Sequence, residues 1–471
     1  MMTEQPFQDG VDRRAFLATA TAAGLAAFVA PGLNAQPNRV RTGRTKNVIF
    51  MVSDGMSIGS FQLADRVHEM RHSGQRTNWV RLMQNEGSRT VFAMTHSANS
   101  EVTDSAAASS AWSIGQRCRN GAISVSPEGN TIEPIWIRAK RTGRGTALVT
   151  TSRVTHATPA AFVANVDRRS KEDQIAQQIL DRKIDVVLGG GARHFSDEML
   201  EAAPRVRVVR NAAELASANE DNSGRLLGIF KESHLSYELD RPETEPSLSE
   251  MTRAALKRMD QQFADGFVMQ VEGARVDHAA HSCDAAGIVN DQLAFDEALG
   301  AVLEWMADRD DTLLIVTTDH GNASPNMTLY GDESIEGMSQ LDRATASFST
   351  LMSRIKPVLE SASGTDLERL GEEIEKATSI RLTDDELGMI TRAAGGETVN
   401  AFKALRGTHH VLGSVLANHT GISFVSGNHT AEHVIATAIG VGSEQLDSVG
   451  HLTDTHALLV DVLGLPEARE M

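Results

Sequence analysis

The chain has 471 residues, long enough to bury a large core in one extended α/β domain or in two smaller ones. Its 45 Lys and Arg against 62 Asp and Glu give a net charge of −17, which argues against nucleic acid or an anionic membrane surface as the main partner. An acidic enzyme that acts on an anionic substrate needs a local positive centre, which metal ions or a buried arginine supply.

The first residues have the pattern of an export signal. Arg13 and Arg14 precede a weakly apolar, alanine-rich stretch at 19–30, and a signal-peptidase site fits the segment 31–35. The apolar stretch is too short for a membrane span, so we expect no stable membrane anchor. A buried N-terminal helix is the alternative, but the paired arginines favour a twin-arginine (Tat) signal peptide over residues 1–35. We therefore expect the Tat export machinery as a partner and a periplasmic or secreted mature chain.

Six runs of apolar and β-branched residues predict strands that are buried on both faces. In chain order they are Asn47–Ser53, Ala147–Thr151, Asp185–Leu188, Phe267–Val271, Thr312–Thr318 and Val434–Ile439. Helical patterns separate several of them, at Glu172–Leu180, Ser249–Phe263 and Asp284–Ala307. This alternation predicts an α/β fold with a mostly parallel central sheet sandwiched between helices.

The pattern changes between about 326 and 410, where the sequence is charged and helix-prone, as at Thr365–Lys376 and Thr383–Ala394. We predict one domain over 36–471 that carries a helical insertion at about 326–410. Cys118 and Cys283 are the only cysteines, which excludes a disulfide framework and leaves two isolated thiols or one incidental bridge.

Acidic residues and histidines follow four of the predicted strands, where the loops of a parallel sheet converge. In chain order these residues are Asp54, His156, Glu272, Asp277, Asp319 and His320. Taken singly, each fits an ordinary turn residue or helix cap. Together they predict a metal cluster, because a structural requirement does not explain so many ligands at one edge.

Residue spacing adds to this interpretation. Asp277 and His281 lie four residues apart, which in a helix places both side chains on one face, where they can grip one ion. Asp319 and His320 are adjacent and can share a metal only if the strand ends there, which Gly321 favours.

Ser105 follows Asp104 at the start of a helix-like segment, Thr103–Ala108. Its hydroxyl then lies in the first turn, where backbone N–H groups and the helix dipole favour an anion. No Ser-His-Asp order with an elbow sequence accompanies it, so a metal must activate this hydroxyl as a nucleophile. Taken alone, Ser105 would be interpreted as a capping residue.

Six segments carry these residues and occur in this order: Val52–Met56, Thr103–Trp112, His156–Ala160 followed by Arg169, Val271–His281, Val316–Gly321 and Asn428–Thr430. In sequence and in order they resemble the alkaline phosphatase family. The resemblance spans most of the mature chain, so chance agreement is remote.

The resemblance implies two zinc ions and one magnesium ion. The expected ligands of the first zinc are Asp277, His281 and His429, and those of the second are Asp54, Asp319 and His320. The expected magnesium ligands are Asp54, Thr158 and Glu272. The resemblance also makes Ser105 the nucleophile and Arg169 a bidentate clamp on the phosphate oxygens. Around these groups, without binding zinc directly, we expect His156, His278 and Asp104.

Two of these assignments have close competitors. His419 lies in the same Asn-His-Thr tripeptide as His429, but only His429 directly precedes the apolar run at 434–439, where the family places its last ligand. Arg168 competes with Arg169, and the spacing from His156 favours Arg169.

The implied activity is hydrolysis of small-molecule phosphate monoesters to an alcohol and inorganic phosphate through a phosphoserine intermediate. A phosphodiesterase with the same metal core is the alternative enzyme, and a homodimer is an open option. A phosphate- or metal-binding protein without turnover fits less well, because Ser105 accompanies complete ligand sets. A nucleotide-binding domain fits less well too, because Leu188–Gly191 lacks the spaced glycine fingerprint.

Overall fold

The computed structural model describes residues 45–218, 220, 223–361 and 364–471. The predicted signal peptide, residues 1–35, lies outside these ranges. Among the described residues, no helix is long and apolar enough to cross a membrane.

A nine-stranded sheet forms the centre of the fold, and two two-stranded sheets accompany it. The strands are β1 (Asn47–Val52), β2 (Arg89–Ala93), β3 (Gly145–Arg153), β4 (Val186–Gly190), β5 (Val206–Val209), β6 (Arg225–Ile229), β7 (Phe267–Glu272), β8 (Thr312–Thr317), β9 (Gly321–Asn322), β10 (Asn326–Met327), β11 (Ile422–Ser423), β12 (His429–Thr430) and β13 (Val434–Gly440). The order across the large sheet is β2-β13-β8-β1-β7-β3-β4-β6-β5. Within this sheet β13 pairs antiparallel with β2 and β8, and all other neighbouring strands pair in parallel.

Helices cover both faces of the large sheet and fill the segment between β10 and β11. They are α1 (Ile58–Arg71), α2 (Asn78–Met83), α3 (Ser105–Ile114), α4 (Ile135–Lys140), α5 (Ala157–Ala161), α6 (Glu172–Asp181), α7 (Asp197–Ala202), α8 (Ala212–Ala218), α9 (Leu248–Gln262), α10 (Arg275–His281), α11 (Ala285–Met306), α12 (Gly331–Asp342), α13 (Phe348–Leu359), α14 (Leu367–Thr378), α15 (Asp384–Ala394), α16 (Thr408–Thr420) and α17 (Leu452–Leu463).

Strand β1 explains why the central strands have continuous apolar sequences. All six of its residues are buried, because helices pack on both faces of the sheet. Phe50 and its alternate neighbours join the core on one face, and Ile49 and Met51 join the core on the other. The predicted α/β fold is confirmed, and the six predicted strands correspond to β1, β3, β4, β7, β8 and β13.

The sequence did not predict strands β2, β5 and β6. Strands β2 and β5 form the two edges of the sheet, and most of their residues are partly or fully exposed. Their sequences therefore lack the continuous apolar run of a central strand. Strand β6 is buried, but its five residues include Gly228, which weakens a strand pattern.

The helix-prone segment forms α12 to α15 and is followed by α16. Helices α14 and α15 match the two predicted helices, and the side chains of Asp366 and Thr383 cap their first turns. Apolar residues such as Leu351, Leu370 and Leu412 form a core shared by α13 to α16. The domain boundaries and the insertion at about 326–410 stay a prediction.

The two cysteines do not pair. Cys118 and Cys283 are both free and buried. Burial raises the pKa of the Cys118 thiol to about 11 and that of Cys283 to about 12. The chain therefore has two isolated, unreactive thiols.

We predict that Arg258→Met lowers the free energy of unfolding by about 3 kcal/mol, because buried acceptors then lose their donors. Arg258 is fully buried on α9 and donates to the carbonyl oxygens of Ala218, Ser223 and Gly224 at 3.2, 2.9 and 3.0 Å. The control is Arg253→Met in the same helix, whose side chain is 54 % exposed. Urea unfolding should separate the two variants, and equal unfolding midpoints would contradict the prediction.

Candidate functional site

Three neighbouring strands bring buried carboxylates together at the carboxyl edge of the sheet. Strand β1 lies between β7 and β8, and Val52 pairs with Glu272 on one side and with Thr317 on the other. Glu272 ends β7, whereas Asp54 and Asp319 each lie two residues beyond the end of their strand. All three side chains are fully buried, so their charges meet in a region of low dielectric.

Gly55 allows these groups to approach one another. Its φ of +70° is in the left-handed region, and a Cβ built there would lie 2.6 Å from the Cβ of Asp277. Its backbone N–H also donates to Oδ1 of Asp319 at 3.0 Å. A larger residue would therefore displace Asp277 and strain the turn that carries Asp54.

The first group of candidate ligands consists of Asp277, His281 and His429. Helix α10 places Asp277 and His281 on one face, with Oδ2 and Nε2 3.5 Å apart, and His429 Nε2 lies 3.5 Å from Asp277 Oδ1. His281 Nδ1 donates to the Gly427 carbonyl, and His429 Nδ1 donates to that of Thr103, both at 2.9 Å. The two Nε2 atoms are therefore acceptors, yet they face each other at 3.0 Å, an arrangement that calls for a shared cation.

The short strand pair β9–β12 brings His429 to this group. His429 pairs with Asn322, which lies two residues beyond His320. His419 instead lies on α16, where its Nε2 contacts Glu386 Oε1 at 3.0 Å. Of the two competing histidines, the structure brings only His429 together with Asp277 and His281.

The second group consists of Asp54, Asp319 and His320. His320 Nε2 lies 3.1 Å from Asp319 Oδ2 and 3.7 Å from Asp54 Oδ1. Strand β8 ends before Asp319, so both side chains can face one point, as the sequence required. Atoms of Asp54, His320 and Asp277 that could bind a metal ion also lie within 4.8 Å of one another, so the first and second groups are adjacent.

Crowding shifts the pKa values in this second group. Burial, followed by the charges of Asp319, Asp277 and Glu272, raises the pKa of Asp54 well above its usual range. Burial lowers the pKa of His320, but the Asp319 carboxylate outweighs it, and the net pKa is raised. Asp54 Oδ1 and Asp319 Oδ2 are buried without a hydrogen-bond partner among the described residues. A bound cation would stabilise both.

The third group lies on the other side of Asp54. Thr158 Oγ1 donates to Asp54 Oδ2 at 3.1 Å, and donor atoms of Asp54, His156 and Glu272 lie within 4.8 Å of one another. Burial raises the pKa of Glu272 to about 7, and its Oε1 has no hydrogen-bond partner among the described residues. This oxygen-rich set suits a hard cation.

Ser105 is the first residue of α3, as its sequence context predicted. Asp104 caps the helix by accepting the backbone N–H of Ala107 at 2.9 Å. The Ser105 hydroxyl lies 3.3 Å from His320 Nε2, at the helix end that favours anions. A nucleophilic oxygen therefore lies beside the second group of candidate ligands.

Arg169 contacts two side chains near the N-terminus of α3. Its guanidinium donates to Asp104 Oδ2 at 3.1 Å and to His156 Nε2 at 2.9 Å. Arg168 is exposed to solvent. Of the two competing arginines, only Arg169 is thus held beside the N-terminus of α3.

Sequence reasoning missed His234, whose ring centroid lies 4.3 Å from that of His278 and 5.6 Å from that of His156. It also missed Asn322, whose Nδ2 donates to Asp277 Oδ1 at 2.7 Å. His234 follows β6, a strand that the sequence did not predict, so the rule that ligands follow strand ends could have found it only once β6 was recognised.

The donor sets fit metal ions. Two groups offer imidazole and carboxylate ligands, which zinc prefers, and the third offers oxygen ligands. Among the described residues, both the second and the third group contain buried carboxylate oxygens without a hydrogen-bond partner, and bound cations would stabilise their charged forms. Together with Ser105 and Arg169, this arrangement can bind a phosphate and activate a nucleophile against it.

Comparisons with known proteins identify the family of the chain. The alkaline phosphatase family model matches residues 45–465. Alkaline phosphatase 4 of Bacillus subtilis (strain 168) is 28 % identical over 430 residues, which cover 89 % of this chain and 88 % of the relative. Streptomycin-6-phosphate phosphatase of Streptomyces griseus is 30 % identical over 391 residues, covering 68 % of this chain and 86 % of that protein.

The crystal structure of Thermus thermophilus alkaline phosphatase is similar throughout. It superposes with a TM-score of 0.82 at 30 % identity and covers 94 % of this chain and 96 % of its own. The chain therefore belongs to the alkaline phosphatase family of metal-dependent enzymes and is a phosphatase that acts on phosphate monoesters.

Proposed function

We propose that this chain hydrolyses phosphate monoesters through a phosphoserine intermediate on Ser105, at a centre of two zinc ions and one magnesium ion. The observation that carries the proposal is the position of the Ser105 hydroxyl. It lies 3.3 Å from His320 Nε2, at the N-terminus of α3. The same imidazole lies near Asp54 and Asp319, each of which has one oxygen without a hydrogen-bond partner among the described residues.

Three groups of residues would hold the ions. They are Asp277, His281 and His429 for the first zinc, Asp54, Asp319 and His320 for the second, and Asp54, Thr158 and Glu272 for magnesium. When bound, these ions supply Lewis acidity that lowers the pKa of the serine hydroxyl and of water and stabilises the leaving oxygen. Burial lowers the pKa of His429 to about 4, which keeps its imidazole neutral for ligation near neutral pH.

Residues of the chain itself carry out the remaining steps. Arg169, oriented by Asp104 and His156, binds two non-bridging oxygens of the ester, and the N-terminus of α3 adds a favourable dipole. The Ser105 hydroxyl gives up its proton to solvent, and Oγ forms a bond to phosphorus as the bond from phosphorus to the alcohol oxygen breaks. The alcohol oxygen takes up a proton from solvent as it leaves. Water attacks the phosphoserine next, which regenerates the Ser105 hydroxyl and releases inorganic phosphate.

We predict that Ser105→Ala abolishes the phosphoserine and slows hydrolysis by at least about 10³-fold, while the fold and the bound metals remain. The hydroxyl is small, and the proposed ligands lie elsewhere. Acid quenching during turnover, followed by peptide mapping, should find phosphate on Ser105 of the parent enzyme only. Phosphate mapped to another residue would contradict the assignment, as would full activity of the variant.

We predict that His429→Ala loses one of the two zinc ions and most activity, whereas His419→Ala keeps both. Only His429 faces Asp277 and His281, while His419 pairs with Glu386 on α16. Metal analysis of both purified variants provides the measurement. Equal zinc loss in the two variants, or loss in His419→Ala alone, would show that the wrong histidine was chosen.

We predict that His156→Asp combined with His278→Lys lowers the magnesium concentration needed for full activity by about tenfold and strengthens inhibition by phosphate. An aspartate at 156 adds an oxygen ligand beside Asp54 and Glu272, and a lysine at 278 adds a compact cation beside the phosphate. Magnesium titration of metal-depleted protein and phosphate inhibition at fixed pH test this. Unchanged values for both would place these histidines outside the site.

We also propose export by the Tat route, on the evidence of Arg13, Arg14 and the apolar stretch that follows them. Replacing both arginines by lysine preserves their charge but removes the twin-arginine pair. We expect the enzyme to remain in the cytoplasm, as measured by activity in cell fractions. Export of the double variant at the parent level would contradict this route.

A further inference from the structure

Three arginine–histidine pairs adjoin the proposed phosphate site, and two of them have no role in the proposed mechanism. The pairs are Arg169 with His156 at 2.9 Å, Arg275 with His278 at 2.8 Å, and Arg153 with His234. The three imidazole rings pack together, with centroids 4.3 to 5.8 Å apart. We call these six residues the arginine–histidine cluster.

The hydrogen bonds of the cluster leave an imidazole donor available in the Arg275–His278 pair. A guanidinium can only donate, so the imidazole nitrogen that faces it must accept. Nδ1 of His278 faces Arg275, so the neutral ring carries its proton on Nε2. The His234 ring instead has both nitrogens beside donors of Arg153, with Nε2 at the guanidinium and Nδ1 3.4 Å from the backbone nitrogen. Burial and the charges of Arg153 and Arg275 agree with neutral rings, since they lower the pKa of His234 to about 2. The Arg275 guanidinium and His278 Nε2 thus present donors side by side, a combination that favours anions.

The charge of the cluster is only partly neutralised. Arg153 and Arg169 each pair with one carboxylate, from Glu172 and Asp104. Arg275 has no ion pair within the described part of the chain; it stacks on the Tyr237 ring, 3.7 Å from the centroid. Its Nε is buried without a hydrogen-bond partner there. A partly exposed guanidinium without an ion pair can bind an anionic ligand.

The cluster lies close enough to Arg169 for one substrate to reach both. His156 accepts from Arg169, and the His278 ring, which accepts from Arg275, lies 5.8 Å from the His156 ring. Arg275, His278 and His234 are all partly exposed, so a ligand can contact them. Guanidinium groups bind phosphate through two parallel hydrogen bonds.

We infer that the arginine–histidine cluster binds a second phosphate group of the substrate. The preferred substrates are then phosphate monoesters whose alcohol carries another phosphate. This inference rests on the proposed function, because the reacting phosphate lies at Ser105 and Arg169 while the second phosphate contacts Arg275 and His278.

The test compares glucose 1,6-bisphosphate with glucose 6-phosphate. The ratio of their kcat/KM values is measured for the parent enzyme, for Arg275→Gln and for the control Arg309→Gln. Arg309 also stacks on an aromatic ring, 3.9 Å from the centroid of Trp305, but it pairs with Asp260. For the parent enzyme, we expect a kcat/KM ratio in favour of the bisphosphate that is larger than its second ester group alone would give. This ratio should fall by about tenfold in Arg275→Gln and stay unchanged in the control.

A second variant, His278→Phe, keeps an aromatic ring in the cluster but removes its donor, and it should lower the same ratio. A parent enzyme without preference for the bisphosphate would overturn the inference. So would an equal loss of activity towards both sugars in Arg275→Gln and His278→Phe, since the cluster would then only support the metal centre.

A binding measurement separates this inference from the proposed function. Calorimetry on Ser105→Ala should show tighter binding of glucose 1,6-bisphosphate than of glucose 6-phosphate, and adding Arg275→Gln should remove the difference. If the parent enzyme hydrolyses neither sugar but this difference is found, the proposed function fails and the subsite stands. Equal binding of both sugars to Ser105→Ala overturns the subsite alone.

Discussion

One electrostatic constraint governs the structure. Several hydrogen-bond acceptors lie together at a buried edge of the sheet, and the described residues provide too few hydrogen-bond donors for them. Asp54, Glu272 and Asp319 are fully buried there, and one carboxylate oxygen of each lacks a hydrogen-bond partner among the described residues. Nearby, the acceptor nitrogens of His281 and His429 face each other at 3.0 Å. Uncompensated buried charges of this kind are strongly destabilising, so these residues are suited to hold cations, in keeping with the metal dependence of the family.

Several local features serve this arrangement. Gly55 lets Asp277 approach Asp54 and Asp319. The β9–β12 pair places His429 beside residues that come much earlier in the sequence. Helix α3 then presents Ser105 to the same edge. Each feature connects elements that are distant in sequence, which explains why the acceptors, the nucleophile and Arg169 meet only in the folded chain.

The sequence predicted much of this because central parallel strands are apolar on both faces and ligands follow their carboxyl ends. Asp54 after β1 and Asp319 after β8 were found in that way. Edge strands β2 and β5 were not, because their exposed faces break the apolar run. His234 follows the short strand β6 and was missed with it. Its contact with His278 depends on tertiary packing that no sequence periodicity encodes.

Local positive charge allows this acidic protein to bind an anionic substrate. A net charge of −17 repels phosphate esters over most of the surface, whereas Arg169, Arg153 and Arg275 concentrate positive charge beside the proposed metal centre. The neutral histidines that accept from these guanidiniums fix their orientation without cancelling their charge. Attraction is thereby confined to the site and its immediate surroundings.

The most direct test of this account is a crystal structure of the zinc-replete, active enzyme, with anomalous diffraction recorded on both sides of the zinc absorption edge. The account predicts two zinc peaks per chain. One should lie at about 2.0–2.2 Å from Asp277, His281 and His429, and the other at the same range from Asp54, Asp319 and His320. An active crystal with no zinc peak at either set of residues would contradict the central claim that the buried acceptors form the metal centre.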